Sequence, residues 1–259
     1  GWIVSCTNCG CEAFDTQTVS FFGISIEQWN GTYMGFFWEG LPPYLLPWSS
    51  QALTAPRAAV ETGTFRGDTT ILLANAFGSC ISIERSHELA AKAQGKFRND
   101  PRIEILEGSS RDLLAEAIPS REKSAFFWLD AHGIYDFDGT EAEENPLLAE
   151  IDTVIAARDS SNTIIAIDDA RGMGTQPDWP AMSEVAIPLG NAGYTTVYLD
   201  DIFLAVPQRL RTDLPKLYQE SRMVEATAVF HIWPRVLRAF KSQARLDSLV
   251  EKLPNSLRR

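Results

Sequence analysis

The residues whose types and spacing could do chemistry fall into two groups. The first is Val60-Glu61-Thr62-Gly63-Thr64-Phe65-Arg66-Gly67-Asp68-Thr69-Thr70, followed by Ile81-Ser82-Ile83-Glu84. An apolar run ending in an acid, a glycine turn, a helix start and a second apolar run ending in an acid make a βαβ unit of the kind that handles nucleotides. Glycine lets backbone approach a ligand, and a carboxylate at the end of the second strand has two oxygens, each able to accept from one hydroxyl of a ribose diol. The glycines are spaced Gly-x-x-x-Gly, wider than the Gly-x-Gly-x-x-Gly of dinucleotide sites. That spacing favours an adenosyl group over a dinucleotide.

The second group is Phe126-Phe127-Trp128-Leu129-Asp130-Ala131-His132 together with Ile164-Ile165-Ala166-Ile167-Asp168-Asp169. Both are apolar strands that end abruptly in carboxylates. Carboxylates brought close together repel and raise one another's pKa unless a cation intervenes. Oxygen donors of this kind suit Mg²⁺, Ca²⁺ or Mn²⁺ rather than zinc. The plainer reading is that such acids cap the next helix or pair with a neighbour, Asp169 with Arg171 in particular. His87 and His231 read as structural.

These residues need a scaffold, and its rhythm becomes regular from residue 57. Strands are predicted at Ala58–Glu61, Cys80–Glu84, Arg102–Leu106, Ala125–Asp130 and Thr163–Asp168, with helices between them at Asp68–Phe77, His87–Phe97, Ser110–Ala117 and Pro146–Arg158. Short apolar strands alternating with helices of this length predict an α/β fold, a mostly parallel sheet covered on both faces. A helix at Trp179–Leu189 precedes the strands Thr195–Leu199 and Ile202–Val206; Asp200-Asp201 between them leaves room only for a tight antiparallel hairpin. Three segments result: an aromatic and proline-rich extension over 1–55, a core over 56–210 and a helical extension over 211–259. The extension packs on the core or covers a site, and it is also a candidate interface for a homo-oligomer.

A net charge of −11 makes duplex nucleic acid or an anionic membrane an unsuitable partner. The basic end carrying Arg235, Arg238, Lys241, Arg245, Arg258 and Arg259 reads as a solvated helix face. No apolar run approaches the ~18 residues of a membrane helix, and the first residues lack the pattern of a secretory signal. Cys6, Cys9 and Cys11 crowd the start, but no second pair or histidine cluster completes a zinc site; Cys80 reads as a small core residue. A reducing cytoplasm is the expected compartment. Gly133–Asn145 reads as an acidic loop or a lid, and Arg171-Gly172-Met173-Gly174 has the glycine content of a mobile loop. Trp179 either stacks on a ligand ring or anchors the helix after it.

The five β/α steps closed by a hairpin resemble the class I S-adenosylmethionine-dependent methyltransferase fold, a doubly wound, seven-stranded sheet. Glu61-Thr62-Gly63-Thr64-Phe65-Arg66-Gly67 resembles its first motif, acid-x-Gly-x-x-x-Gly. The resemblance implies a cofactor site built from Glu61, Gly63, Thr64, Phe65, Gly67, Thr69, Glu84, Gly108, Ser109, Ser110 and Asp130. Glu61 would lie near the cofactor's ammonium, Glu84 on its ribose, and Glu107-Gly108-Ser109-Ser110 at the adenine edge.

In that sheet order the strands ending in Asp130 and Asp168 are neighbours, so Asp130, Asp168 and Asp169 would meet at the carboxyl edge. The arrangement is similar to catechol O-methyltransferase and to metal-dependent sugar O-methyltransferases, which implies these three as ligands of Mg²⁺ or another divalent cation. His132, with a pKa range suited to neutral-pH proton transfer, would be the general base beside Asp130. No lysine follows Asp130 as in the catechol enzyme. The expected activity is methyl transfer from S-adenosylmethionine to a hydroxyl of a small molecule or sugar. The alternatives are a nicotinamide-dependent oxidoreductase, since Glu84 suits that ribose too, and a non-catalytic cofactor-binding protein.

Overall fold

The computed structural model describes residues 41–42, 44–132 and 145–221. The expectations for Cys6, Cys9 and Cys11, for most of the 1–55 extension, for the acidic stretch after His132, for His231 and for the basic end fall outside the described residues.

The described elements run in the order α1 (Leu45–Ala52), β1 (Arg57–Thr62), α2 (Asp68–Phe77), β2 (Cys80–Glu84), α3 (His87–Phe97), β3 (Ile103–Glu107), α4 (Ser110–Ala117), β4 (Ser124–Leu129), α5 (Leu147–Ala157), β5 (Thr163–Ile167), α6 (Met182–Asn191), β6 (Tyr194–Leu199) and β7 (Ile202–Pro207). The strands form one seven-stranded sheet in the order β3-β2-β1-β4-β5-β7-β6. Pairing is parallel from β3 through β5, and β7 lies antiparallel to both β5 and β6. This is the doubly wound, mostly parallel seven-stranded sheet with a terminal antiparallel hairpin that the sequence predicts. The strand order reverses between β1 and β4, which is the switch point where open α/β sheets leave a crevice.

Alternation along the central strands explains why they are apolar throughout. In β4, Ala125, Phe127 and Leu129 face the side covered by α4, α5 and α6, where they meet Leu114, Ile151, Val154, Val185 and Leu189. Phe126 and Trp128 face the other side, with Leu45 of α1, Leu53 just after it, and Leu73 and Phe77 of α2. Phe126 stacks on Phe77 at a centroid distance of 4.7 Å. Two faces packed by helices leave no polar side for these strands. The edge strand β3, with Glu104 and Glu107 exposed, shows what a strand looks like where that cover ends.

The hairpin turn is formed by Asp200 (φ +50°) and Asp201 (φ +73°), with Leu199 directly opposite Ile202. Two consecutive left-handed residues make the type I′ geometry that a two-residue hairpin needs, and aspartate is one of the few side chains that tolerates it. The helix expected from Trp179 starts at Met182 instead. Pro180 lacks the N–H that a helix interior requires, and Trp179 before it is buried in the core. The glycine stretch after Asp169 is also packed. A Cβ on Gly172 would stand 2.5 Å from the Trp179 ring, so that glycine serves close packing rather than loop mobility. Residues 214–221 are helical.

Candidate functional site

The ends of the parallel strands are laced together past their last residues. Gly63 N–H donates to Ile83 O at 2.9 Å, Gly108 N–H to Glu84 O at 2.9 Å, Asp130 N–H to Thr62 O at 3.0 Å and Asp168 N–H to Leu129 O at 3.0 Å. The residues that follow each strand are therefore presented along one rim. Glu84 lies at the Gly63–Gly67 bend: its Oε2 accepts from Phe65 N–H at 2.8 Å and its Oε1 from Ser86 N–H at 2.9 Å. Phe65 holds a left-handed backbone (φ +48°) to make that bond, and the residue is 42% exposed. Such strain in a bulky residue persists only where surroundings over-determine it, which is common at ligand sites. Each Glu84 oxygen keeps a second lone pair for another donor.

Glu61 is placed differently from the expected contact surface. Its side chain is fully buried beneath the bend, where Oε2 accepts from both Thr70 Oγ1 and Ser82 Oγ at 2.5 Å, and Ser82 in turn meets Thr64 Oγ1 at 2.5 Å. Oε1 has no hydrogen-bond partner among the described residues. Burial pushes the Glu61 carboxyl up to about 7, against the two hydroxyl bonds that hold it down. Thr70 and Ser82 are the residues that the sequence reading missed. Thr69, which it singled out, is half-buried one position away.

The motif glycines face protein. A Cβ on Gly63 would fall 2.4 Å from Asp130 O, and one on Gly67 would fall 2.6 Å from the Phe97 ring. Both are left-handed, at φ +83° and +71°. Gly108 (φ +148°) and the half-buried Ser109 lead into α4, where Ser110 is buried.

Along the rest of the rim, Asp130 is half-buried and Asp168 buried. Desolvation first, then Asp168, Asp169 and Glu61, raise the Asp130 carboxyl well above the ordinary carboxylate range. Asp168 is pushed up to about 8 by burial and by Asp169, and its Oδ1 accepts from Asp169 N–H at 2.8 Å. Asp169 (φ +51°) turns its side chain to Arg171, whose Nη1 lies 2.7 Å from Oδ1. The same guanidinium pairs with Asp201 of the hairpin turn, and Arg171 N–H donates to Asp201 Oδ1 at 2.8 Å. Among the described residues no group of three His, Cys, Asp or Glu side chains is arranged to hold a metal ion. Asp169 is paired with the Arg171 guanidinium, and the three acids expected as ligands are not gathered around a common point.

His132 lies inside rather than on the rim. Its Nε2 is 3.0 Å from Asp168 O, and since a carbonyl only accepts, the proton sits on Nε2 and leaves Nδ1 as an acceptor with no partner among the described residues. Its ring meets the Trp179 edge at a centroid distance of 4.5 Å. Burial lowers its pKa to about 4, despite the carbonyl, so it is neutral and weakly basic at physiological pH.

One buried acid went unnoticed in the sequence because nothing local marks it. Glu150, in the first turn of α5, is fully buried, and among the described residues neither of its oxygens has a hydrogen-bond partner. Desolvation pushes its carboxyl from the ordinary 4.5 up to about 7, eased by the nearby hydroxyls of Ser110 and Thr62. A folded pKa above the unfolded one means that the fold holds an extra proton between these values. That contribution is complete below pH 4.5 and is lost as pH rises through 7, at a cost approaching about 3 kcal/mol. Glu150→Gln is expected to flatten this slope and to be about 2 kcal/mol more stable than the parent at pH 8. Urea unfolding at pH 5 and pH 8 reads it; an unaltered slope rules Glu150 out as its source.

Neither a protein-family model nor a curated protein sequence matches the chain. Solved structures do align with it. An amino pentose methyltransferase of Micromonospora echinaspora bound to S-adenosylmethionine aligns at 9% identity and a TM-score of 0.47, over 62% of this chain and 87% of its own. An O-methyltransferase from Bacillus cereus in complex with S-adenosylhomocysteine aligns at 14% and 0.45, over 64% and 82%. A methyltransferase of Podospora anserina bound to S-adenosylhomocysteine aligns at 14% and 0.40, over 66% and 90%. Likenesses this loose transfer no residue roles, so the chemistry has to be read from the rim itself.

Proposed function

We propose that this chain is an S-adenosylmethionine-dependent methyltransferase acting on a hydroxyl of a small molecule. The observation that carries the reading is the Glu84 carboxylate. It is held at the end of β2 by one backbone donor from the bend, Phe65 N–H, and one from Ser86, with lone pairs left for a diol, one strand away from the strand-order switch. The sulfonium carbon of such a cofactor is electron-poor, and an acceptor oxygen attacks it in line, opposite the sulfur. Catalysis then rests on orientation and on removing the hydroxyl proton.

In this reading Glu84 orients the ribose, and Gly108, Ser109 and Ser110 border the base. Glu61 holds the bend from beneath through Thr70 and Ser82. Asp130, half-buried at the rim, takes the acceptor's proton. His132 becomes a prop for that rim through Asp168 O, because its buried ring and lowered pKa suit holding a backbone carbonyl better than deprotonating an alcohol. The divalent cation expected with Asp130, Asp168 and Asp169 is not carried forward.

Isothermal titration with S-adenosylhomocysteine and with NAD tests the cofactor. Binding of the first alone supports the reading, and binding of NAD alone returns the chain to the oxidoreductases. Methyl transfer from labelled S-adenosylmethionine to a panel of hydroxylated small molecules tests the activity. Cofactor binding without transfer to any acceptor favours the non-catalytic alternative. No helix among the described residues is long and apolar enough to cross a membrane.

A further inference from the structure

We propose that Trp128 is a positioning residue for Asp130, its indole N–H being the donor that holds the Asp130 carboxylate in its ionised, proton-accepting form. The inference rests on the reading of Asp130 as the group that takes the acceptor's proton.

Trp128 is fully buried in β4, opposite Glu61 of β1 and Ala166 of β5. The ladder runs on past it: Asp130 N–H donates to Thr62 O at 3.0 Å and Asp168 N–H to Leu129 O at 3.0 Å. Side chains two apart on an extended strand share a face, so the Asp130 carboxyl follows the indole on the face packed by α1 and α2. A phenyl ring would serve the apolar packing there. The indole adds one N–H, and a buried donor needs an acceptor.

That N–H completes no hydrogen bond among the described residues. It nevertheless acts on Asp130: burial first, then Asp168, Asp169 and Glu61, raise this acid, and the Trp128 N–H holds it down. Both observations follow from a carboxyl kept neutral by its surroundings, which is a weak acceptor. Once ionised it accepts strongly through either oxygen, and a turn of the side chain closes the bond. The other acceptor near the indole is Glu61 Oε1, which also lacks a partner among the described residues. The donors that act on Glu61, however, are Ser82 and Thr70 rather than the indole. The charged groups facing Asp130 are thus Asp168 and Asp169 past β5 and Glu61 on β1.

Proton–nitrogen correlation spectra of the full chain read the contact directly, since each of the seven tryptophans gives one indole signal. The signal missing from Trp128→Phe is that of Trp128. It is expected to move downfield as rising pH ionises Asp130 and to stop moving in Asp130→Asn. Glu61→Gln should leave the movement in place. Trp128→Phe also removes the N–H while keeping a ring, so Asp130 becomes harder to ionise. The acidic limb of the methyl-transfer profile should then move to higher pH, with rates on that limb lower by about tenfold or more. Rates should recover on the alkaline plateau, where both proteins are ionised. A variant that merely packs badly loses rate at every pH.

A Trp128 signal that does not titrate overturns the proposal, as does one that still titrates in Asp130→Asn or stops in Glu61→Gln. A loss of rate equal at every pH overturns it too. Should Trp128→Phe fail to fold, the indole signals of the parent are compared with those of Asp130→Asn. An indole that titrates in the parent alone supports the proposal, and none overturns it. Absence of methyl transfer by the parent counts against the methyltransferase reading, and the indole titration still decides the contact.

Discussion

Gly63→Ala is expected to abolish cofactor binding and to destabilise the fold by more than about 3 kcal/mol. Two effects add. The backbone at Gly63 is left-handed (φ +83°), where a Cβ costs roughly 1–2 kcal/mol. The new methyl would also stand 2.4 Å from Asp130 O and 2.9 Å from Asp130 C, so the end of β4 would have to move. That end carries Asp130, and the bend itself carries Phe65 N–H to Glu84, so the site loses its geometry along with its stability. Gly78→Ala is the matched control: its backbone is also left-handed (φ +89°), but nothing lies within 4 Å of a Cβ there. It should cost only the backbone strain, roughly 1–2 kcal/mol, and leave cofactor affinity unchanged. Urea unfolding and calorimetric titration with S-adenosylhomocysteine measure both variants. Equal losses in the two would show that backbone strain alone, and not the contact with β4, sets the cost.

The second large effect is expected at Glu84. Glu84→Ala removes the acceptor for Phe65 N–H and Ser86 N–H and the partner proposed for the ribose diol. A hydrogen bond to a charged group contributes roughly 1.5–3 kcal/mol, so loss of the pair should weaken S-adenosylhomocysteine about 100-fold or more. Glu84→Gln keeps one carbonyl oxygen and substitutes a donor for the other, so about a tenfold loss is expected. Titration against S-adenosylhomocysteine and its 2′-deoxy analogue separates structure from contact. A variant that merely loosens the bend weakens both ligands equally, whereas loss of a diol contact narrows the gap between them. An unaltered gap in Glu84→Gln would remove Glu84 from the ribose.

These two positions also show where sequence reading succeeds. Gly63 and Glu84 were legible because their signals are local: a glycine where a strand turns, and an acid where the next strand stops. The same holds for β4 and β5, whose unbroken apolar runs require cover on both faces, and for Asp200-Asp201, which leaves no loop longer than a tight turn. The elements from α2 to β5 follow from such patterns, with ends shifted by a residue or so.

What each group does depends on partners that periodicity does not reveal. Glu61 is expected, by resemblance, near the cofactor's ammonium, yet Thr70 and Ser82 hold it beneath the bend, and desolvation resets its pKa to about 7. Gly67 reads as a ligand-facing glycine, but the ring of Phe97 fills the space beside it. His132 resembles a base until burial against Trp179 lowers its pKa to about 4.

From its local patterns alone, this sequence determined the order of strands and helices, the hairpin, and the acids that end β1, β2, β4 and β5. The tertiary structure decided which of those acids meets water, which meets a hydroxyl and which meets Arg171. The reason is physical: strand and helix periods are set by neighbours in the chain, whereas desolvation and charge pairing are set by neighbours in space. Asp201 reaches Arg171 only because β7 folds back antiparallel onto β5.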